Sequence, residues 1–290
     1  MAWLRLILDT DHEHTAALSE ALEQAGAVAV TLEDAADQPL FEPAPGETPL
    51  WNSVRVVGLF PADLDPDALQ DMLAQSLDPR TLGTLRIEPL EDRDWRRAWM
   101  DRFQPMCFGE RVWIVPSWCE APEPDAVNIA LDPGMAFGTG THPTTALCLE
   151  WLDGARVQGK RVLDYGCGSG ILAIAAAKLG AAEVWAIDND PQALLATRDN
   201  AEHNAVTLHT GLPKDTPQEP FDIVIANILA GPLVELAPVL MARLGPAGQL
   251  VLSGLLPEQA DAIAHAYAPR CVLDQQVERD GWMRLSGQCM

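Results

Sequence analysis

Polar and apolar positions along the chain fall into two regimes. In the first ninety residues, WLRLILD (from Trp3), AVAVTLE (from Ala27), WNSVRVVGLF (from Trp51) and LGTLRIEPL (from Leu82) alternate or run apolar as strands do. Between them, HTAALSEALEQAG (from His14) and DPDALQDMLAQSL (from Asp65) have the spacing of amphipathic helices. Gly26 ends the first helix, Pro66 opens the second, and a polar, proline-rich loop runs to Pro49. EDRDWRRAWMDRF (from Glu91) is charged but sets Trp95, Trp99 and Phe103 on one stripe, which predicts a connecting helix and hinge with one packed face. RVWIVP (from Arg111) and VNIALD (from Val127) follow as short strands split by APEPD.

Beyond residue 160 the strands become near-continuously apolar: RVLDY, EVWAID, VTLHT, FDIVIAN and GQLVLSG. Helical patterns separate them near 170–179, 191–204, 231–243 and 257–267, and CVLDQQVERD with GWMRLSGQ closes the chain as an antiparallel pair. Apolar strands alternating with helices predict a mostly parallel sheet covered on both faces, seven-stranded with the closing pair. The β-α-β-β-α-β order of the front part predicts a ferredoxin-like sandwich, a fold that names no function. The expectation is therefore an α/β chain, with a small ferredoxin-like α+β domain at 1–90, a linker helix and connecting strands at 91–126, and a Rossmann-like α/β domain at 127–290.

Composition narrows the function. No apolar run approaches the ~20 residues a bilayer span needs, and the start of the chain lacks the basic region of a secretory signal. A cytoplasmic protein without membrane association is expected. Six cysteines, at 107, 119, 148, 167, 271 and 289, form no CxxC pair, so they read as reduced, buried thiols and no metal site is predicted. The net charge is −23, from 19 basic and 42 acidic residues. Up to Glu88, 4 arginines face 16 acidic residues, a balance of −12. Acid at this level repels bare nucleic acid and permits a basic protein partner, although solubility alone also accounts for it.

The chemistry is concentrated in three stations. In VLDYGCGSGILAIAAAKLGA (from Val162), a strand ends at Asp164, a glycine-rich turn follows, and a helix begins. Gly166, Gly168 and Gly170 let backbone approach a ligand closely. Their order is G-x-G-x-G, with Ile171 where the dinucleotide pattern places glycine, and no Lys-Ser/Thr follows to grip phosphate. Asp164 can instead accept from an ammonium group. Further on, EVWAIDND puts Asp188 at the end of the second strand, where a carboxylate can bind both ribose hydroxyls of an adenosine. Asp190 and Pro191 cap and open the next helix. FDIVIANILAGP ends its strand at Asn227, whose amide can accept from an amine and donate to a carboxylate.

A fourth stretch, LDPGMAFGTGTHPTT from Leu131 to Thr145, packs glycine, proline and threonine around Phe137 and His142. Such a stretch predicts a loop that folds over a pocket, in which Gly138 and Gly140 would let backbone lie flat over a ligand, Thr141, Thr144 and Thr145 would offer hydroxyls, and Phe137 would exclude water. DYGCGSG, Asp188 and ANILAGP resemble the class I S-adenosylmethionine-dependent methyltransferases. With LDPGMAFGTGTHPTT and the front sandwich, essentially the whole chain resembles the ribosomal protein L-eleven methyltransferases (PrmA).

The resemblance implies S-adenosylmethionine as cofactor, held by Thr145, Gly166, Asp188 and Asn227, with Gly168 beside them in the turn. It also implies methyl transfer to the amino terminus and lysines of a basic large-subunit ribosomal protein, without direct binding of nucleic acid. The run NILA, where other N-methyltransferases carry Asn-Pro-Pro-aromatic, disfavours a purine substrate. His142 is the one candidate proton acceptor, and no general base is required. Another protein, a small molecule or RNA remains the alternative acceptor. A nicotinamide oxidoreductase is disfavoured by the glycine order and by Asp164.

Overall fold

The protein is described from a computed structural model covering residues 3–36, 38, 48–76, 85–90, 103–132 and 142–290. The chain divides into two compact units, Met1–Ala98 and Trp99–Met290.

In the first unit, β1 (Trp3–Asp11), β2 (Ala29–Asp34), β3 (Ser53–Pro61) and β4 (Arg86–Leu90) form one sheet in the order β2-β3-β1-β4. Each adjacent pair is antiparallel, so β1 and β2 run parallel on either side of β3. That is the ferredoxin-like order, and the helices α1 (Thr15–Gln24) and α2 (Pro66–Ser76) supply its two crossovers. The strand alternation separates the faces. Leu6, Leu8, Val54, Val56 and Phe60 turn inward onto Leu18 and Leu22 of α1 and Leu69 and Leu73 of α2. On the other face Arg55 donates to Asp9 at 2.7 Å, Arg86 reaches the same carboxylate at 3.2 Å, and Arg5 pairs with Glu33 at 3.3 Å. Hydrogen bonding from Arg55 holds the Asp9 carboxyl below the usual carboxylate range.

The second unit is built on a seven-stranded sheet, with β5 (Met106–Phe108), β6 (Val112–Val115) and β7 (Val127–Ala130) forming a separate three-stranded one. The main sheet has the order β10-β9-β8-β11-β12-β14-β13. Its strands are β8 (Arg161–Tyr165), β9 (Glu183–Ile187), β10 (His209–Gly211), β11 (Phe221–Asn227), β12 (Leu244–Leu255), β13 (Cys271–Arg279) and β14 (Trp282–Cys289). The first five in spatial order are parallel, and β14 is inserted antiparallel between β12 and β13. The helices α3 (Pro143–Gly154), α4 (Ile171–Lys178), α5 (Pro191–His203), α6 (Ala230–Glu235), α7 (Ala237–Arg243) and α8 (Ala260–Tyr267) complete the unit. Two cores flank the sheet. One joins Val162, Ile223 and Ile225 to α3 and α4; the other joins Leu163, Val224 and Leu252 to α6, α7 and α8.

Several details depart from the sequence reading. The helix expected over 231–243 is two helices meeting at Leu236, because Pro238 in the first turn of α7 lacks the N–H a continuous helix needs. The expected strand VTLHT contracts to the short strand β10, which among the described residues pairs with β9 alone. Cys271 and Cys289 are joined as a disulfide, whereas all six cysteines were expected to be reduced. The cause is register: the two residues lie directly opposite in the β13–β14 pair, both buried, a coincidence that linear spacing hides. Cys107 is exposed, while Cys148 and Cys167 are buried thiols. The Trp95–Trp99 part of the predicted connecting helix lies outside the described residues.

Candidate active site

The sheet order reverses between β8 and β11, the place where ligands bind at the carboxyl ends of parallel strands. A cavity of about 710 Å³ opens there. Thr145, Gly166, Gly168, Asp188 and Asn227 all line it, and so does His142.

The glycine turn after β8 is held tightly. Gly166, Gly168 and Gly170 all have positive φ, at 83°, 54° and 78°. The Gly166 and Cys167 N–H groups donate to the Ile187 carbonyl at 2.7 and 3.0 Å, tying the turn to the end of β9. Asp188, one residue on, accepts the Gly168 N–H at 2.9 Å on one oxygen and the Asp190 N–H at 3.0 Å on the other. Asp190 caps α5 through the Gln192 N–H at 2.8 Å. The carboxylate of Asp188 thus faces the cavity from a fixed position and keeps lone pairs for further donors.

Asp164 is placed elsewhere. It is 1% exposed and does not line the cavity. One of its oxygens accepts the Ala173 N–H of α4 at 3.1 Å, and the other is buried without a hydrogen-bond partner among the described residues. Burial pushes its pKa up to about 7, with the Asp188 charge adding to the rise and the Ala173 N–H opposing it. The acid therefore sits behind the turn.

On the opposite wall, Asn227 ends β11 and its Nδ2 donates to the buried Thr145 hydroxyl at 3.4 Å. Its Oδ1 is buried and has no hydrogen-bond partner among the described residues. Thr145 sits in the first turn of α3, whose N-cap is His142. The His142 Nδ1 accepts the Thr144 N–H at 3.3 Å and lies 2.8 Å from the Thr144 hydroxyl, so this nitrogen serves the cap. Burial lowers the pKa of His142. Of the glycine- and threonine-rich stretch preceding α3, residues 133–141, with Phe137, Gly138, Gly140 and Thr141, lie outside the described residues.

Sequence reasoning missed an aromatic and apolar rim. Trp282 lines the cavity with its ring set edge-on to His142, centroids 4.8 Å apart. Leu229, Pro232 and Leu236 line it too, and Leu229 is half exposed. Trp282 was legible in principle: it follows the Asp280–Gly281 hairpin turn, and an antiparallel last strand begins at the carboxyl end of its parallel neighbours. Among the described residues, no cluster of His, Cys, Asp or Glu is arranged to hold a metal ion.

A glycine turn after the first sheet strand, an acid ending the second and an asparagine ending the fourth, around one cavity, define a class I methyltransferase fold. Residues 2–289 match the family model described as ribosomal protein L11 methyltransferase (PrmA), and the chain belongs to that family. It is 56% identical to the ribosomal protein L11 methyltransferase of Ectopseudomonas mendocina over 290 residues, 99% of each chain. It is 53% identical to that of Photorhabdus laumondii over 290 residues, 99% of this chain and 98% of the relative. Among solved structures it is similar to the ribosomal protein L11 methylase of Lactobacillus delbrueckii subsp. bulgaricus. That match has a TM-score of 0.60 and 34% identity, and covers 64% of this chain and 99% of the other.

Proposed function

We propose that this chain transfers methyl groups from S-adenosylmethionine to the amino terminus and lysine side chains of ribosomal protein L11, the substrate for which its relatives are named. The observation that carries the reading is the convergence on one cavity of Asp188, the glycine turn and the Asn227–Thr145 pair.

These residues fit the cofactor. The Asp188 carboxylate suits vicinal ribose hydroxyls, Gly166 and Gly168 admit close backbone approach, and the unpartnered Asn227 Oδ1 is a buried acceptor suited to an amine. When bound, the sulfonium supplies an activated methyl group. The protein's part is to hold the acceptor nitrogen in line and neutral. Deprotonating a lysine of pKa ~10.4 costs about 4–5 kcal/mol at neutral pH, and an α-amino group of pKa ~8 only about 1. The apolar rim of Leu229, Pro232 and Leu236 lowers the lysine value further by desolvation. No general base is then needed, and His142, whose Nδ1 caps α3, is assigned a positioning role.

The first unit is assigned to substrate recognition. Its Arg5, Arg55 and Arg86 pair within the sheet, while Glu13, Glu20, Glu23, Asp65, Asp67 and Asp71 on or beside α1 and α2 are exposed. An acidic surface of this kind attracts a basic protein and repels RNA. Among the described residues no helix is long and apolar enough to cross a membrane, and the reading places the enzyme in the cytoplasm with its substrate. Incubating purified L11 with enzyme and cofactor should add 14-Da increments, seen by mass spectrometry, at the amino terminus and at lysines. An unmodified L11 beside methylated RNA or small molecules would overturn the substrate.

A further inference from the structure

Helix α5 packs behind the glycine turn, and three of its polar residues, spaced i, i+3 and i+7, point into the protein. Thr197 is 0% exposed; its hydroxyl donates to the Gly168 carbonyl at 3.0 Å and lies 3.4 Å from the Cys167 Sγ. Asn200 Nδ2 donates to the Ser169 carbonyl at 2.8 Å. Asn204, the buried C-cap, brackets one residue of another strand: its Oδ1 accepts the Ala130 N–H at 2.8 Å, and its Nδ2 donates to the Ala130 carbonyl at 2.7 Å.

Thr and Asn are poor helix formers, and a helix face turned inward is ordinarily apolar. Here each inward polar group is hydrogen-bonded to the backbone of another segment: Thr197 to Gly168, Asn200 to Ser169 and Asn204 to Ala130. A turn of glycines has no side chains to fix it, so its geometry depends on anchors of this kind. Gly168 is held from both sides, its N–H by Asp188 and its carbonyl by Thr197. A Cβ on Gly170 would meet the Thr197 Cγ2 at 2.7 Å, so turn and helix are fitted face to face. Ala130 ends β7, from which the chain runs on to His142 and Thr145 of the opposite wall.

We propose that Thr197, Asn200 and Asn204 form a positioning strip that fastens the glycine turn and the exit of β7 to one helix, setting the cavity for the cofactor. The proposal rests on the cofactor reading given above. None of the three lines the cavity, so they act through the backbone they hold.

The test pairs near-isosteric and conservative variants of the full chain. Thr197→Val removes only the donor and is expected to raise the KM for S-adenosylmethionine about tenfold, with kcat within about twofold. Thr197→Ser is expected to restore both parameters to within about twofold of wild type. Asn204→Leu, which keeps the approximate shape and loses both the acceptor for the Ala130 N–H and the donor to its carbonyl, is expected to speed amide exchange at Ala130 and to raise the same KM. If both variants lower only the melting temperature, or if Ser behaves as Val does, the strip is general packing and the proposal falls. Exchange at Gly168–Gly170 is also followed without ligand. Should the wild type fail to bind S-adenosylhomocysteine, the cofactor reading fails and exchange alone decides the strip: acceleration in Thr197→Val supports it, and unchanged exchange overturns it.

Discussion

Gly166→Ala tests the geometry of the turn most directly, because the structure separates two costs. The φ of Gly166 is 83°, and a non-glycine residue in the left-handed region loses roughly 1–2 kcal/mol. The new Cβ would also run into the Cγ2 of Ile228, the residue after Asn227. Overpacking of that kind costs about 1–3 kcal/mol. Together the substitution should destabilise the protein by about 2–5 kcal/mol and weaken S-adenosylhomocysteine, since both residues line the cavity. Ile228→Ala removes the Cγ2 and leaves the φ unchanged. In that background the Gly166→Ala cost should shrink to the backbone part, about 1–2 kcal/mol, giving a coupling of about 1–3 kcal/mol in a double-mutant cycle. Urea unfolding of the four proteins, with calorimetric titration of S-adenosylhomocysteine, measures both. Equal costs in the two backgrounds would show that the close approach to Ile228 does not constrain the turn.

Four further outcomes are expected. Asp188→Ala should weaken S-adenosylhomocysteine by about 2–3 kcal/mol in calorimetry, because charge-assisted hydrogen bonds to the ribose are lost; unchanged affinity would remove Asp188 from the site. Asn227→Ala should lower turnover as well as cofactor affinity in steady-state kinetics, and a fall in thermal stability alone would leave it only a structural role. Asp164, with its folded pKa raised to about 7, favours the folded state fully below its unfolded value near 4, and that contribution is lost as pH rises through about 7. Asp164→Asn should flatten unfolding free energies across that window by up to about 4 kcal/mol, and parallel pH profiles would place the titration elsewhere. Methylation of intact L11 should slow as salt takes the Debye length below ~8 Å, whereas a salt-independent rate at saturating cofactor would tie the acidic surface to solubility alone.

How much of this was legible in the sequence depended on whether a feature was local. The glycine turn, Asp188 and Asn227 each sit at a strand end, and strand ends are written in consecutive residues. Once the strands were parallel, their carboxyl ends had to meet at one edge of the sheet. The front unit was readable for the same reason: its six elements alternate without interruption, and the antiparallel order follows from their sequence. Features that depend on register between distant segments were hidden. Cys271 meets Cys289 because a hairpin brings them opposite, and Asn204 at the end of α5 meets Ala130 although β7 belongs to a separate small sheet. Asp164 shows the limit most clearly. An acid at a strand end reads as a ligand group, yet alternation along β8 turns it away from the cavity and under the first turns of α4. Two residues later the chain leaves the strand, and Gly166 faces the cavity in its place. Which side of a strand an end residue occupies is set by the packing of Val162 and Leu163 on opposite cores, a property of the folded sheet. The carboxylate that faces the cavity is consequently the one just past its strand, Asp188, fixed by two N–H groups, while the one inside its strand lies buried behind the turn.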